Sequence, residues 1–182
     1  MRILLHTCCG PCAIVPLRRL RAEGAEVMGV YANPNIHPFV EWERRKGTLE
    51  RLAEAEGVRL LPPGEYDITA WLRQVVFREA ERCRICYHLR LRHTAHLAKR
   101  GRFDGFSTTL LYSKFQRHDL IAEVAGVVAS ETGVRFVYRD WREGWSEGVE
   151  ASKAMGLYRQ PYCGCIYSEQ DRYRPRRQGG EP

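Results

Sequence analysis

Short apolar runs alternate along this chain with longer stretches of helical periodicity, and the alternation predicts its architecture. Ile3-Leu4-Leu5 marks a buried strand over Arg2 to His6. Ala13, Ile14, Leu17 and Leu20 share one helical face, so a helix is expected from about Pro11 to Glu23. Gly24 closes it, and Pro16 is expected to delay or kink its start. Glu26 to Tyr31 is a second strand, running into the rigid polar loop Asn33-Pro34-Asn35-Ile36-His37-Pro38. Phe39 to Glu56 is a helix with Phe39, Trp42, Leu49, Leu52 and Ala53 inward. Val58 to Leu61 is a third strand, stopped by Pro62-Pro63-Gly64. Helical character is expected over Asp67 to Arg82, with Asp67 as N-cap, and again over Tyr87 to Arg100. Phe103 to Thr109 is a fourth strand. Gln116 to Thr132 is a helix with Leu120, Ile121, Val124, Val127 and Val128 inward. Arg135 to Tyr138 is a fifth strand, and Ser146 to Gly156 a last helix.

Strands alternating with helices predict an α/β fold: an open, mostly parallel sheet with helices on both faces. No repeat or linker divides the chain, so residues 1–171 read as one α/β domain and residues 172–182 as a basic, frayed tail. In open α/β sheets the ligand lies at the C-terminal ends of the strands. Cys8-Cys9, the Asn33-Pro34-Asn35 loop, Pro62 to Asp67 and Thr108-Thr109 all fall on that edge.

Composition narrows the compartment and the partners. The apolar fraction of 44% is that of a globular protein, and no apolar run reaches membrane-spanning length. Ile3-Leu4-Leu5 is too short for the apolar region of a secretion signal, so the chain is expected in the cytoplasm. A net charge of +7, carried mainly by arginine, fits a polyanionic partner such as nucleic acid, since arginine grips phosphate bidentately. Charge kept for solubility alone gives the same number.

The chemistry lies in the cysteines. All 7 fall in three places: Cys8-Cys9-Gly10-Pro11-Cys12, Cys83-Arg84-Ile85-Cys86 and Cys163-Gly164-Cys165. In a reducing compartment clustered cysteines bind metal or do redox work more often than they form structural disulfides. Cys83 and Cys86 have a chelating spacing. Adjacent Cys8 and Cys9 are poor partners for one tetrahedral ion because their side chains diverge, but suit two atoms of a cluster, or a cluster and a neighbouring metal. With Cys83 and Cys86 they supply four thiolates, the count an iron–sulfur cube uses. A structural zinc ion on Cys83, Cys86, Cys163 and Cys165 is the competing reading, and it leaves Cys8, Cys9 and Cys12 without a role. Cys163-Gly164-Cys165 is too tight for easy chelation and suits a strained, redox-active dithiol, with Gly164 supplying backbone freedom. Cys12 fits an inert buried thiol and a redox partner equally. Cys9-x2-Cys12 at a helix N-terminus also has a thioredoxin look.

Other residues are more ambiguous. Asp67 reads as an N-cap, or more sharply as a metal ligand or proton donor. His6 and His37 lie near the expected site, and structural roles are the default for them. Tyr158-Arg159-Gln160-Pro161-Tyr162 and Arg172-Tyr173-Arg174 interleave aromatic and basic groups in the way base stacking with phosphate contact requires. No Gly-rich phosphate loop, nucleophile elbow or H-E-x-x-H motif is present.

The motifs in combination resemble the cobalamin-independent epoxyqueuosine reductases, the QueH family. The resemblance is carried by Leu5-His6-Thr7-Cys8-Cys9-Gly10-Pro11-Cys12, Tyr31 to Pro38, Tyr66-Asp67, Arg82 to Tyr87, Ser107 to Leu111 and Tyr158 to Ser168. One departure is Ser113-Lys114-Phe115-Gln116, where the family commonly reads Ser-Pro-Tyr-Gln. The resemblance implies an adenine-nucleotide α-hydrolase-like (HUP) fold without that superfamily's nucleotide signature. It implies reduction of epoxyqueuosine to queuosine at the wobble position of tRNA, with an unidentified electron donor and no membrane. It implies a [4Fe–4S] cluster, on Cys8, Cys9, Cys83 and Cys86 by the reading above, and an additional iron or zinc ion, for which Asp67 is the candidate ligand. Cys163 and Cys165 would act as the catalytic dithiol, with Asp67 as metal ligand or proton relay. A zinc-stabilised RNA-binding module and a thiol–disulfide oxidoreductase are the alternatives.

Overall fold

The central strand β1 (Arg2–His6) is buried from Ile3 to His6, so both of its faces are covered. A computed structural model describes residues 1–175. Strand β2 (Glu26–Val30) pairs with β1 on one side and β3 (Gly105–Thr108) on the other, both parallel, giving the order β2-β1-β3. Register sets His6 beside Val30 and Thr108, so the three strands end level.

The expected third and fifth strands are reduced to single parallel bridges, Gly29 with Leu60 and Phe106 with Phe136. Each sits at an outer edge, and each makes one pair of backbone hydrogen bonds. Leu60 is held through the Gly29 N–H to the Arg59 carbonyl and the Leu61 N–H to the Gly29 carbonyl. Pro62 and Pro63 then remove the donors a longer pairing would need.

Among the described residues, seven α-helices clothe the sheet. Helix α1 (Gly10–Ala22) packs with α2 (Phe39–Glu56) and α6 (Trp145–Ala154). Helix α4 (Arg82–Arg100) packs on β1 and β3, with α3 (Ile68–Val75) and α5 (His118–Thr132) beside it. Helix α7 (Ile166–Tyr173) was not expected. It takes Arg172 and Tyr173 out of the expected tail, of which residues 176–182 lie outside the described residues.

Pro16 neither delays nor prevents α1, which starts at Gly10 and keeps the proline inside. Gly10 is where α1 and α2 come closest: a Cβ there would lie 2.7 Å from the Thr48 carbonyl oxygen. The expected inward residues are buried except for Phe39 on α2 and Val127 on α5, which are exposed. Phe39 stacks on Trp42 instead of entering the core. The expected helix over 67–82 stops at Val75. Val76 is extended, Phe77 has a positive φ of 62°, and a 3-10 turn at Glu79–Glu81 follows. Two β-branched valines and an aromatic in succession make a poor helical run. Helix α4 then begins at Arg82, not Tyr87, so Cys83 and Cys86 lie in its first turns.

Among the described residues no helix is long and apolar enough to cross a membrane.

Candidate thiol and metal site

The three strands release their chains at one edge, and there the cysteines meet. Leaving β1, the chain passes Cys8 and reaches Cys9, the N-cap residue of α1. The Cys8 backbone N–H donates to Thr109 Oγ1 at 3.1 Å, just past the end of β3. The Cys8 and Cys9 sulfurs are 3.8 Å apart. Cys12 lies one turn along α1, and its sulfur joins theirs within 4.8 Å. All three are buried, and none of the 7 cysteines is in a disulfide. A nest of three thiols this close can bind a metal ion or one face of a cluster.

The nest favours one negative charge. Thiols of Cys12 and Cys9 and the Thr109 hydroxyl hold Cys8 well below the usual thiol range. Burial pushes Cys9 up, and hydrogen bonding to Cys8 together with burial pushes Cys12 up.

The other four cysteines are not part of this nest: among the described residues Cys8, Cys9 and Cys12 are the one group of three or more potential ligands within 4.8 Å of one another, so the expected set of Cys8, Cys9, Cys83 and Cys86 is not gathered that tightly. Burial raises Cys83, Cys86 and Cys163, and the sulfurs of Cys163 and Cys165 add to the rise at the two α4 cysteines. Cys86 is pushed up to about 12, with Arg90 the largest opposing influence. The Cys163-Gly164-Cys165 turn is fixed from α2. Arg45 is fully buried, is paired with Glu41 at 2.7 Å, and donates to the carbonyls of Cys163 (2.7 Å) and Tyr162 (3.1 Å). The His37 N–H donates to the Gly164 carbonyl at 2.7 Å, and the Tyr162 hydroxyl donates to the His37 carbonyl. Gly164 has φ +144°, and a Cβ on it would stand 3.0 Å from Arg45 Nη1. Both conditions call for glycine.

Three carboxamides point their N–H groups at sulfur. Gln160 Nε2 donates to Cys9 at 3.0 Å and reaches Cys12 at 3.6 Å. Gln116 Nε2 donates to Cys163 at 3.1 Å, and Asn35 Nδ2 to Cys86 at 3.3 Å. A neutral thiol needs no such escort. A thiolate or a metal-bound sulfur does, because hydrogen bonds to sulfur set its charge and potential. The donor set therefore fits a cysteine-ligated metal or cluster.

A cleft of about 360 Å³ opens onto this site, lined by Cys8, Cys12, Cys163, Gln160, Phe115 and Arg159 among others. Asp67 is not in it. Its carboxylate caps α3, accepting from the Ala70 N–H at 2.8 Å, and it borders a different cleft with Trp71 and His93. His6 is buried, bonded to Thr108 Oγ1 (2.8 Å) and the Ala32 carbonyl (3.2 Å). Burial first and Arg90 second lower it to about 4, so it stays neutral and ties β1 to its neighbours. His37 lends its backbone, not its ring.

The cysteine positions were legible in the sequence. The arginines that organise them, Arg45 and Arg90, were missed. The available signal was spacing: Arg90 follows Cys86 by four residues, one helical turn on the same face. It was hidden because the helix was expected to begin after both cysteines.

A parallel α/β sheet with a buried nest of three thiols at its C-terminal edge defines the class: an α/β protein whose clustered cysteines can hold a metal ion or cluster. Comparison with known proteins makes this particular. A family model described as epoxyqueuosine reductase QueH matches residues 3–171, and the chain belongs to that family. A Dehalococcoides mccartyi protein named epoxyqueuosine reductase QueH is 37% identical over 172 residues, covering 94% of each chain. A Thermotoga maritima protein of the same name is 32% identical over 176 residues, covering 91% of this chain and 89% of the relative. Among solved structures, a predicted subunit of tRNA methyltransferase from Methanocaldococcus jannaschii matches with a TM-score of 0.58 at 10% identity. It covers 84% of this chain and 74% of that one, a likeness of fold alone.

Proposed function

We propose that this protein reduces epoxyqueuosine to queuosine at the wobble position of tRNA, in the cytoplasm, with residues 1–171 as one catalytic domain. Family membership names the reaction, and the sulfur-directed carboxamides carry the site assignment. Epoxide deoxygenation takes up two electrons and two protons and releases water, leaving an alkene. Oxidation of the Cys163–Cys165 dithiol to its disulfide supplies both: dithiol plus epoxide gives disulfide, alkene and water. An external electron donor then restores the dithiol.

Cys8, Cys9, Cys83 and Cys86 would hold a [4Fe–4S] cluster, which would supply one-electron transfer, and an additional iron or zinc ion would supply Lewis acidity toward the epoxide oxygen. The thiol nest favours Cys12 over Asp67 as a ligand to that ion, since Asp67 faces another cleft. The chain's own residues do the rest. Arg45 holds the Tyr162 and Cys163 carbonyls, so Cys163 stays against the cleft. Gln116 orients Cys163, and Gln160 orients Cys9. Phe115, Trp145, Arg159 and Arg172 line the way in, an aromatic and basic mouth suited to a base and its phosphate.

Anaerobic reconstitution with iron and sulfide, followed by incubation with tRNA carrying epoxyqueuosine and a chemical reductant, tests the reading. The nucleoside is expected to lose the mass of one oxygen. An unchanged nucleoside from iron-loaded protein overturns it, and zinc-loaded, colourless protein from anaerobic cells overturns the cluster.

A further inference from the structure

Among the described residues, no carboxylate pairs with the buried Arg90 guanidinium. The residue is 2% exposed. Among the described residues its side chain makes two hydrogen bonds, from Nε at 3.2 Å and Nη2 at 2.7 Å, both to Asn35 Oδ1. The contrast is Arg45, equally buried, whose charge is matched by Glu41. A buried unmatched charge is costly, so its neighbours have to compensate it. Arg90 reaches Cys86, one helical turn away, through Asn35, whose Nδ2 stands 3.3 Å from the sulfur, and the charges of Cys163, Cys8 and Tyr31 also act on it. Of these groups, only the sulfurs readily carry negative charge.

Hydrogen-bond polarity gives the same answer independently. A guanidinium donates and never accepts, so the Asn35 oxygen has to face Arg90. That turns the Asn35 amino group the other way, where Nδ2 stands 3.3 Å from Cys86 Sγ. Asn35 is itself 1% exposed, so no water stands ready to replace either partner. Every bond in the series Arg90, Asn35, Cys86 runs in one direction, and the sulfur at its end is held as an acceptor. Cys86 and Arg90, one turn apart on α4, are kept on one face by the helix itself.

We propose that Arg90, acting through Asn35, is a positioning residue that holds Cys86 as a negatively charged ligand and is the buried counter-charge of the sulfur site. It stabilises the site most when an added electron makes it more negative. The inference rests on the reading of these cysteines as cluster ligands, but not on the reaction at tRNA.

The test uses iron-loaded protein without tRNA. Arg90→Met, Arg90→Lys and Asn35→Leu are reconstituted anaerobically, the cluster's midpoint potential is read by reductive titration, and iron release to a chelator is timed. Arg90→Met is expected to shift the potential to more negative values and to weaken metal retention about 10- to 100-fold. Arg90→Lys keeps the charge and recovers part of the potential. Asn35→Leu leaves the charge but breaks the relay, and is expected to release iron faster with the smaller shift in potential. It serves alone should Arg90→Met fail to fold. Wild-type potential in Arg90→Met, equal shifts in the methionine and lysine variants, or wild-type iron release in Asn35→Leu would each overturn the proposal. Wild-type protein that carries the cluster and leaves epoxyqueuosine unreduced overturns the proposed reaction and leaves this inference standing.

Discussion

Gln116 Nε2 donates to the Cys163 sulfur across 3.1 Å, and Tyr87 decides which end of the carboxamide points there. The Tyr87 hydroxyl donates to Gln116 Oε1 at 2.8 Å and accepts from the Arg117 N–H. The amide cannot turn over without losing that bond. Burial raises Cys163, and Arg90 and the Gln116 hydrogen bond lower it. Gln116→Glu puts an acceptor where the donor was, so the thiolate is disfavoured. A rise of one pKa unit cuts the thiolate fraction about tenfold. Peptide-resolved alkylation of reduced, metal-free protein at mildly alkaline pH is expected to show Cys163 slowed by about that factor. Tyr87→Phe, which frees the amide to rotate, gives a smaller slowing. Wild-type rates in both variants would remove Gln116 from the site.

The cysteine groups divide by what their loss removes. Cys83→Ala and Cys86→Ser are expected to lower iron per chain after reconstitution. Cys163→Ser and Cys165→Ser are expected to keep iron and lose reduction of tRNA from the first turnover, since the dithiol turn is held by Arg45 and His37 independently of metal. Iron analysis beside the tRNA assay separates the two. Loss of iron from Cys163→Ser would move that residue into the ligand set.

Arg45 and Glu41 form a buried ion pair, and each partner has a second duty. Arg45 holds two carbonyls of the dithiol turn, and Glu41 Oε2 accepts from the Tyr158 hydroxyl at 2.8 Å. Removing one charge leaves the other buried and unmatched, at a cost of about 3–5 kcal/mol. Arg45→Met is therefore expected to lower stability by that order in chemical denaturation of metal-free protein. Adding Glu41→Leu should restore part of it. An additive double variant would show that the two charges do not interact.

The three paired strands as elements, the edge that carries the site and the cysteines themselves were legible because they rest on local signals, whereas the order β2-β1-β3 was not. Ile3-Leu4-Leu5 is a strand in any context, and Gly24 and Gly57 end helices by their positive φ. What stayed hidden depends on contacts distant in sequence. Leu60 and Phe136 look like strand residues, yet each pairs at one point only because of its edge position. Cys12 was read as one cluster with Cys8 and Cys9, but its choice between an inert thiol and a partner in the site stayed open until the three sulfurs were placed within 4.8 Å. Asp67 had two readings at the start, and its hydrogen bond to Ala70 shows the capping one at work. Arg90's spacing from Cys86 was readable, but its bond to Asn35, 55 residues away, was not.

Phe115 is 83% exposed, an unusual place for a phenylalanine unless something covers it. It stands edge-on to Trp145, with ring centroids 5.5 Å apart, and Trp145 in turn stacks on Tyr112 at 5.2 Å. This aromatic row borders the cleft that holds Cys8, Cys12 and Cys163, with Arg159 and Arg172 beside it. A base entering the cleft would stack there while its phosphate meets the arginines. Because so little of Phe115 is buried, Phe115→Ala should leave stability within about 0.5 kcal/mol of wild type. Base stacking on an aromatic side chain is worth about 1–3 kcal/mol. The KM for modified tRNA should therefore rise roughly 5- to 150-fold, with kcat much less affected. Trp145 fluorescence offers a second readout: tRNA should quench it in the wild type and less so in the variant at equal concentration. Unchanged KM together with unchanged quenching would place the tRNA elsewhere on the surface.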